Sequence, residues 1–440
     1  MSSTNVKRVT QGLSAGTAIL LLVAACAGDE EQADEGGGDG GPVTITLQEW
    51  NEVPGTPLGE VLQAFEEQNP DITVEIAPQI PFGNEYDTRM QTQLGAGTAP
   101  TIFRMNDDFL GSFSLEGVLK DLSGYTEGLD QEQYVEALYD FGTQEDGTYT
   151  AWTIGVQPRV LFYNKDMFEE AGVDLPPTEY TDEGWMWEDF LTAAEALTIP
   201  GERWGASIMH DTGAEQIWSI NNGSETGVYS EDGTEFTLAE PEAAEGLQYV
   251  VDLTCEHEVQ PPWSELQQDD AELTLFAAGR LGMIESVASS NALLQNAVTD
   301  FEYDIAPIPG NVAQVNEGSL YLYVVPESTP QPEADAAWDL LEFMGSEEAG
   351  AIFADGAYFV PLNRASASAI EAEAGVSPQN MTLLAAAAEN SISPNFPPQN
   401  ASLARQLYRP QLDAAYNCEQ SVVDVLSSVQ EQVDNALNQG

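Results

Sequence analysis

Aromatic and acidic side chains follow the predicted carboxyl ends of two strands early in the chain. Trp50 and Glu52 come directly after one strand, and Asp107 and Asp108 come after a later one. An aromatic ring offers a flat apolar face to the C–H groups of a ligand, and carboxylates accept hydrogen bonds from hydroxyl groups. At strand ends, this combination of residue types predicts a binding site for a small ligand.

Hydrophobic periodicity predicts the scaffold that positions these side chains. Val43, Ile45 and Leu47 alternate with polar residues, as in a strand with one buried face. A helical pattern over 58–65 and a second strand over 72–76 complete a strand–helix–strand unit, whose strands are expected to be parallel. In an open sheet of this kind, ligands lie beyond the carboxyl ends of the strands.

The same alternation continues towards the C-terminus without internal repeats. The chain is too long for one average domain, so we predict an α/β fold with two lobes. Further strands are predicted at 101–103, 159–164, 281–284, 303–306 and 321–325. Further helices are predicted over 86–94, 187–197, 241–253 and 334–344, residues 273–278 end another helix, and two or three more follow in 381–437.

The N-terminus has the features of an export signal, predicted over residues 1–25. Two basic residues precede an apolar run that falls short of the ~20 apolar residues needed to span a bilayer. The end of this run, Val23-Ala24-Ala25-Cys26, resembles the bacterial lipobox, in which cleavage precedes the cysteine and its thiol is lipidated. Residues 26–42 are acidic and glycine-rich, so we expect a lipidated Cys26 and a disordered tether. The alternative is an ordinary secretory signal with an incidental cysteine.

Net charge limits the possible partners. The chain carries 74 Asp and Glu against 12 Lys and Arg, a formal net charge of −62 at pH 7. Nucleic acid is excluded as a partner because phosphate binding needs basic residues, and strongly anionic small ligands are disfavoured for the same reason. Repulsion within so acidic a surface is screened near molar salt, where the Debye length is ~3 Å, so the composition fits a halophilic habitat.

Cys255 and Cys418 are the cysteines that remain in the predicted exported fold, and export favours a disulfide between them. Two unrelated buried thiols are the alternative, because a sequence leaves the distance between their Cα atoms open. Cys255-Glu256-His257 also contains metal-ligand types, but His210 is the only other histidine and a zinc site would lack ligands. We therefore expect no metal and no other cofactor.

Six stretches of the sequence, one of them in two parts, resemble the extracellular solute-binding proteins of carbohydrate ABC importers, a family that includes maltose-binding protein. The similarity follows the order of the family over nearly the whole chain after residue 42. Each segment alone is a weak signal, but six in order behind a lipobox are a strong one. The segments are VLQAFEEQNPDITVEI, MQTQLGAGTAPTIFRMND, LFYNKDMFEEAGVDLPP with WMWEDF, LFAAGRLGMIES, YDIAPIPG and WDLLEFMGSEEAG.

The resemblance implies two α/β lobes joined by crossing strands at a hinge, with a ligand cleft between the lobes. It assigns residues 43–152 and about 313–345 to the first lobe, and residues 153–312 and about 346–440 to the second. The implied function is binding of a carbohydrate outside the cell membrane and its delivery to the transmembrane subunits of an ABC permease. We expect a monomer held at the membrane by its lipid.

The resemblance adds ligand positions to those at the strand ends. It implies Gln157 near the hinge, Trp218 and Asn222 in the wall of the second lobe, and Glu285-Ser286 in a loop after a strand. One departure is Ala288-Ser289-Ser290, where close sugar binders carry a stacking aromatic residue. We expect aromatic stacking from Trp50 and Trp218 on opposite lobes and from Tyr321 and Tyr358. The predicted ligand-binding residues are Trp50, Glu52, Asp107, Asp108, Gln157, Trp218, Asn222, Glu285, Ser286, Tyr321 and Tyr358.

Two other classes of protein compete with a binding protein. A surface glycoside hydrolase would use paired carboxylates, but acids are so frequent here that no pair is informative. Two histidines also give no convincing Ser/His/Asp or Cys/His set. A passive adhesin would not need polar residues at the strand ends of two lobes. We therefore predict a non-enzymatic sugar-binding protein, with the surface hydrolase as the alternative.

Overall fold

The computed structural model describes residues 41–81, 84–144, 146–181, 184–208, 214–230, 232–268, 270–354, 359–372, 374–391 and 400–438. The predicted signal peptide and Cys26 lie outside these ranges. The strands are β1 (Val43–Gln48), β2 (Ile72–Ile76), β3 (Ile102–Met105), β4 (Trp152–Asn164), β5 (Trp204–Ser207), β6 (Leu281–Val287), β7 (Tyr303–Ala306), β8 (Gly318–Val324) and β9 (Val360–Pro361).

Helices connect and cover these strands. None of the described helices combines the length and the apolar character needed to cross a membrane. The helices are α1 (Pro57–Gln68), α2 (Asn84–Ala96), α3 (Leu110–Leu115), α4 (Ser123–Thr126), α5 (Glu136–Asp140), α6 (Lys165–Ala171), α7 (Trp187–Leu197), α8 (Ala214–Asn221), α9 (Pro241–Cys255), α10 (Trp263–Leu266), α11 (Ala271–Ala277), α12 (Asn291–Ala297), α13 (Gln331–Met344), α14 (Glu347–Ala354), α15 (Arg364–Ser368), α16 (Leu383–Glu389), α17 (Ala401–Tyr416) and α18 (Val422–Leu437).

The first strand–helix–strand unit forms as its sequence predicts. Thr56 caps α1 by accepting a hydrogen bond from the backbone N–H of Gly59, and Pro57 occupies the first helical turn. The apolar stripe of α1, which includes Phe65, is buried. Strands β1 and β2 pair in parallel, from Val43 to Leu47 of β1 and over all of β2. The carboxyl end of β1 therefore lies at the sheet edge where the sequence predicts a site.

One long strand, β4, connects two groups of strands. The strand order is β2-β1-β3-β8-β4-β6-β5, and β7 and β9 also pair with β4. Residues 152–158 of β4 pair with β8, while residues 159–164 pair with β6 and β7. Because the pairing partners change between Pro158 and Arg159, β4 belongs to both lobes and forms the predicted crossing strand.

Buried apolar side chains form two clusters, which we call the first core and the second core. The first core includes side chains of β1, β3, β8, α1 and α13. The second core is built mainly from α7, α8, α9, α17 and α18. Strand β7 contributes to both because successive residues of a strand face opposite sides: Ile305 packs in the first core and Ala306 in the second.

Helices α14 and α16 pack against elements that the prediction places in the first lobe. The resemblance assigns about 346–440 to the second lobe, while in this stretch the buried side chains from Ala349 to Ala388 belong to the first core, which also takes up side chains of β6 and α12. Helix α14 contacts α1, and α16 contacts α5 and β4, so both helices cover the first lobe. The described residues of this stretch that pack in the second core belong to α17 and α18.

A disulfide bond joins Cys255, at the end of α9, to Cys418, in the turn after α17. The two Cα atoms lie 5.6 Å apart, which is within the usual range for a bridge. The bonded residues are separated by 163 positions. The bridge therefore fastens the C-terminal helices to the middle of the chain within the second lobe.

Removing this bridge should lower the free energy of unfolding. In the chain-entropy model, closing so long a loop restricts the unfolded chain by an equivalent of about 5 kcal/mol. We expect the double variant Cys255→Ser/Cys418→Ser to unfold at a lower urea concentration than the wild type, and reduction of the wild type to have the same effect. Adding reductant to the double variant is the control and should change nothing. Equal midpoints for wild type and double variant would contradict a stabilising bridge.

Candidate ligand-binding site

A pocket lies at the carboxyl end of β1, beside the start of α1. Its cavity volume is about 30 Å³. A cavity that holds a single water has a volume of roughly 10–15 Å³, and typical ligand pockets span about 300–1,000 Å³. The pocket thus has room for water in this conformation, and a larger ligand requires it to widen. Its charged and aromatic lining residues are Glu49, Glu52, Arg104, Tyr321, Tyr323, Phe353 and Phe359.

The carboxylate of Glu49 has several hydrogen-bond donors around it and is only 2% exposed. Its Oε2 accepts hydrogen bonds from the backbone N–H groups of Trp50 at 3.1 Å and Asn51 at 3.2 Å. Its Oε1 accepts one from the hydroxyl of Tyr323 at 2.8 Å. Burial, reinforced by the charge of Glu49, holds the pKa of Tyr323 well above its ordinary value, so the phenol stays protonated and donates. Glu49 therefore fixes the turn that carries Trp50.

The guanidinium of Arg104 lies against two aromatic rings. Its Cζ is 4.1 Å from the ring centroid of Trp50 and 3.7 Å from that of Tyr321, which are distances of cation–π contacts. Its Nη1 is 3.6 Å from Glu49 Oε1. The side chain reaches this position from β3, which pairs with β8, the strand that carries Tyr321. Arg104 is 5% exposed, so its charge is compensated by Glu49 and the rings rather than by bulk water.

The predicted stacking role of Tyr321 is wrong for this conformation. Phe359 stacks on its ring with centroids 4.2 Å apart and planes at 27°. Arg104 also lies over the ring, and two groups at such distances cannot share one face. Both faces of Tyr321 are therefore covered. Its hydroxyl accepts a hydrogen bond from Gln157 Nε2 at 2.7 Å, so the structure does bring these two predicted residues together.

The structure places Trp50 and Glu52 in the turn that follows β1 in the first lobe. Trp50 is half-buried, and its ring meets that of Tyr86 in a T-shaped contact with centroids 5.2 Å apart. The hydroxyl of Tyr86 donates to the backbone carbonyl of Arg104, which ties this aromatic pair to β3. Glu52 is exposed and lines the pocket. The turn after β1 thus carries a half-buried aromatic ring and, two residues later, an exposed carboxylate.

The structure corrects the prediction that Trp218 opposes Trp50 across a ligand. Trp218 is 0% exposed and belongs to the second core. Its ring packs against that of Trp187, with centroids 6.0 Å apart. Helix α8, which carries Trp218, packs against α9, and its inward face holds the indole. Trp218 therefore stabilises the second lobe and does not line a cleft in this conformation.

Glu285 and Ser286 also differ from the prediction, which placed them in a loop. Strand β6 continues to Val287, so both residues are within the strand and buried. Glu285 is 1% exposed and its Oε1 lies 3.1 Å from Nη1 of Arg159 on β4. The Oγ of Ser286 is hydrogen-bonded to the Oγ of Ser290 at 2.8 Å. These side chains connect β6 to its surroundings and are not presented to a ligand.

Among the other predicted residues, Asn222 and Asp107 do not line the pocket. Asn222 donates to the backbone carbonyl of Glu242 and accepts from Asn311, both at 2.8 Å, so its contacts lie within the second lobe. Asp107 begins a short 3-10 helix after β3 and is half-buried. The side chain of Asp108 and all of Tyr358 lie outside the described residues.

Sequence reasoning missed the polar core of the pocket. Glu49 directly follows β1, and Arg104 is a charged residue in the apolar segment TIFRMN, in a chain with 12 basic residues in all. Both signals are visible in the sequence, because a charge inside a buried strand needs a partner. Within the described ranges, no group of three or more His, Cys, Asp or Glu side chains is placed to hold a metal ion.

The molecule has two α/β lobes that share a crossing strand, and a polar and aromatic pocket lies at a strand end. These features define the class of two-lobe periplasmic binding proteins. The chain belongs to the bacterial extracellular solute-binding protein family, whose model matches residues 49–351. This match covers more than half of the chain. Membership of a binding-protein family favours the predicted binding function over the alternative of a glycoside hydrolase.

Solved structures have the same fold at low sequence identity. An ABC substrate-binding protein of Listeria monocytogenes in complex with cycloalternan has a TM-score of 0.74 and 24% identity, with 90% of this chain and 98% of that chain covered. The sugar-binding protein MalE of Xanthomonas citri has a TM-score of 0.75 and 17% identity, with coverage of 90% and 97%. A sequence relative from Brucella abortus (strain 2308), named as a binding protein, is 25% identical over 82% of this chain and 83% of its own length.

Alanine at Trp50 and at Trp218 should have opposite effects. Trp50→Ala removes a half-buried ring beside the pocket, so affinity for a bound saccharide should fall at least about tenfold. Its loss of stability should be smaller than that of Trp218→Ala, although the ring also contacts Arg104 and Tyr86. Trp218→Ala empties a fully buried site, so it should cost about 3–5 kcal/mol of stability and leave the affinity per folded molecule unchanged.

Both quantities should be measured on the same preparations. Trp263→Ala is the matched control for Trp50→Ala, because Trp263 is also partly buried but packs against Tyr416 and the second core. It should leave affinity at the wild-type value. Wild-type affinity in Trp50→Ala would remove Trp50 from the site.

Proposed function

We propose that the protein binds a carbohydrate outside the cytoplasmic membrane and delivers it to an ABC-type permease. The observation that carries this proposal is the pocket at the end of β1, which is lined by Glu52 and the Glu49–Arg104 pair, with the ring of Trp50 against the guanidinium of Arg104. A sugar offers apolar C–H groups to an indole ring and hydroxyl groups to a carboxylate. The sugar-binding name of the X. citri protein, which has the same fold, supports the same class of ligand.

Each side chain of the pocket has a distinct role in this proposal. Trp50 supplies the apolar face, and Glu52 accepts hydrogen bonds from sugar hydroxyls. Glu49 orients Trp50 and Asn51 through their backbone N–H groups. The ligand widens the small pocket on entry, and the second lobe then moves onto it by bending at β4. Such closure removes the bound sugar from water and gives the permease a distinct liganded form to recognise.

Titration calorimetry in molar potassium chloride against neutral mono- and oligosaccharides tests the proposal. We expect at least one saccharide to bind with one-to-one stoichiometry, and chromatography after prolonged incubation to recover it unchanged. Steady release of shorter products would favour the hydrolase alternative. A folded protein that binds no member of the panel would contradict carbohydrate binding.

We also propose that the exported protein is held at the membrane by a lipid on Cys26. The motif Val23-Ala24-Ala25-Cys26 and the acidic, glycine-rich segment 26–42 support this. Mass spectrometry of the membrane fraction should find an acylated Cys26 as the first residue. Cys26→Ser should release the protein from the membrane. A mature N-terminus elsewhere, with an unmodified thiol, would show an ordinary secretory signal instead.

A further inference from the structure

We infer that Arg104 is a specificity-determining residue: its guanidinium occupies the stacking position between Trp50 and Tyr321 that a second sugar ring would otherwise take. This inference rests on the proposed carbohydrate-binding function. The guanidinium carbon is 4.1 Å from one ring centroid and 3.7 Å from the other. A planar guanidinium at these distances stacks on aromatic rings in the way a flat ligand does.

A sugar ring cannot stack on the opposite face of Tyr321 instead. Phe359 stacks on that face with a centroid distance of 4.2 Å. The cavity that remains, about 30 Å³, is smaller than a sugar ring requires. Removing the guanidinium would uncover one face of Tyr321 and one face of Trp50 at the same time. It would also enlarge the pocket that Arg104 and Tyr321 line.

Several contacts keep Arg104 in this position. The side chain is 5% exposed and pairs with Glu49, which is itself held by Tyr323 and by two backbone N–H groups. Moving the guanidinium into solvent would leave the buried Glu49 carboxylate without its counter-charge, which is strongly unfavourable. The guanidinium therefore stays in place when a ligand arrives. The ligand class that follows is a saccharide that presents a single ring to this pocket, at Trp50 and Glu52.

The variant Arg104→Lys tests this role. Lysine keeps a positive charge for Glu49 but has no planar group to fill the gap. We would measure the affinities of wild type and variant for glucose, maltose and maltotriose, and for arabinose and its di- and trisaccharide, by calorimetry in molar salt. In a series that binds, the gain per ring is the ratio of the affinities of two saccharides that differ by one ring. This gain should be about fivefold or more larger in Arg104→Lys than in wild type, because one new aromatic stacking contact becomes available.

A second variant and a matched control separate this role from a general loss of stability. Glu49→Gln/Arg104→Ala removes both charges, so no buried carboxylate is left uncompensated, and it should show the same change in the gain per ring. Arg409→Lys is the control, because Arg409 Nε pairs with the buried Glu215 at 3.0 Å and does not line the pocket. It should keep the wild-type gain per ring. If the double variant does not fold, Arg104→Lys decides alone.

An unchanged gain per ring in folded Arg104 variants would overturn the inference. An equal loss of affinity for every saccharide would overturn it as well, since Arg104 would then be a direct ligand contact. Wild-type protein that binds none of the six saccharides would contradict the proposed function together with the inference. If the wild type binds a saccharide and the Arg104 variants keep the wild-type gain per ring, only the role of Arg104 is contradicted.

Discussion

The crossing strand β4 determines how the two lobes can form one molecule. Its first half pairs with β8 and its second half with β6 and β7, so each lobe is incomplete without it. At the change of partners, the side chain of Asn316 accepts a hydrogen bond from the N–H of Arg159 and donates one to its carbonyl. An amide side chain thus takes the place of a neighbouring strand beside Arg159, because β8 begins only at Gly318, two residues after Asn316. The side chain of Arg159 is simultaneously paired with Glu285 on β6.

The pocket lies on the same sheet and depends on the same kind of pair. Arg104–Glu49 in the first lobe, Arg159–Glu285 at the crossing and Arg409–Glu215 in the second core all place an arginine beside a carboxylate that is almost fully buried. In an acidic chain with 12 basic residues, these arginines compensate interior carboxylates instead of covering the surface. Breaking such a pair leaves a buried charge, so each pair constrains the strands or helices that carry it. The position of Trp50 is one consequence of this constraint.

Local patterns predicted the elements well where packing and periodicity agree. The β1–α1–β2 unit, α7 and β7 were readable because their apolar residues recur with the period of one secondary structure. The side of a helix that meets the core is less readable. Trp218 and Trp50 looked alike in the sequence, yet α8 turns one indole into the second core while the turn after β1 leaves the other beside a pocket. For the same reason, the apolar faces of α14 and α16 did not reveal which lobe they cover.

Dissolved salt acts differently on the charges of the outer surface and on the charges of the pocket. Exposed carboxylates repel one another over distances that dissolved ions screen, whereas buried pairs are screened much less. Salt can therefore relieve the repulsion of the outer surface without weakening the contacts of Arg104 with Glu49, Trp50 and Tyr321. Tyr323 and Phe359 lie against these buried groups. The geometry of the pocket then depends on strand pairing and on interior charge, and only weakly on the ions that the surface requires. A neutral ligand suits such a site, because neither its approach nor its contacts rely on long-range attraction that the same ions would screen.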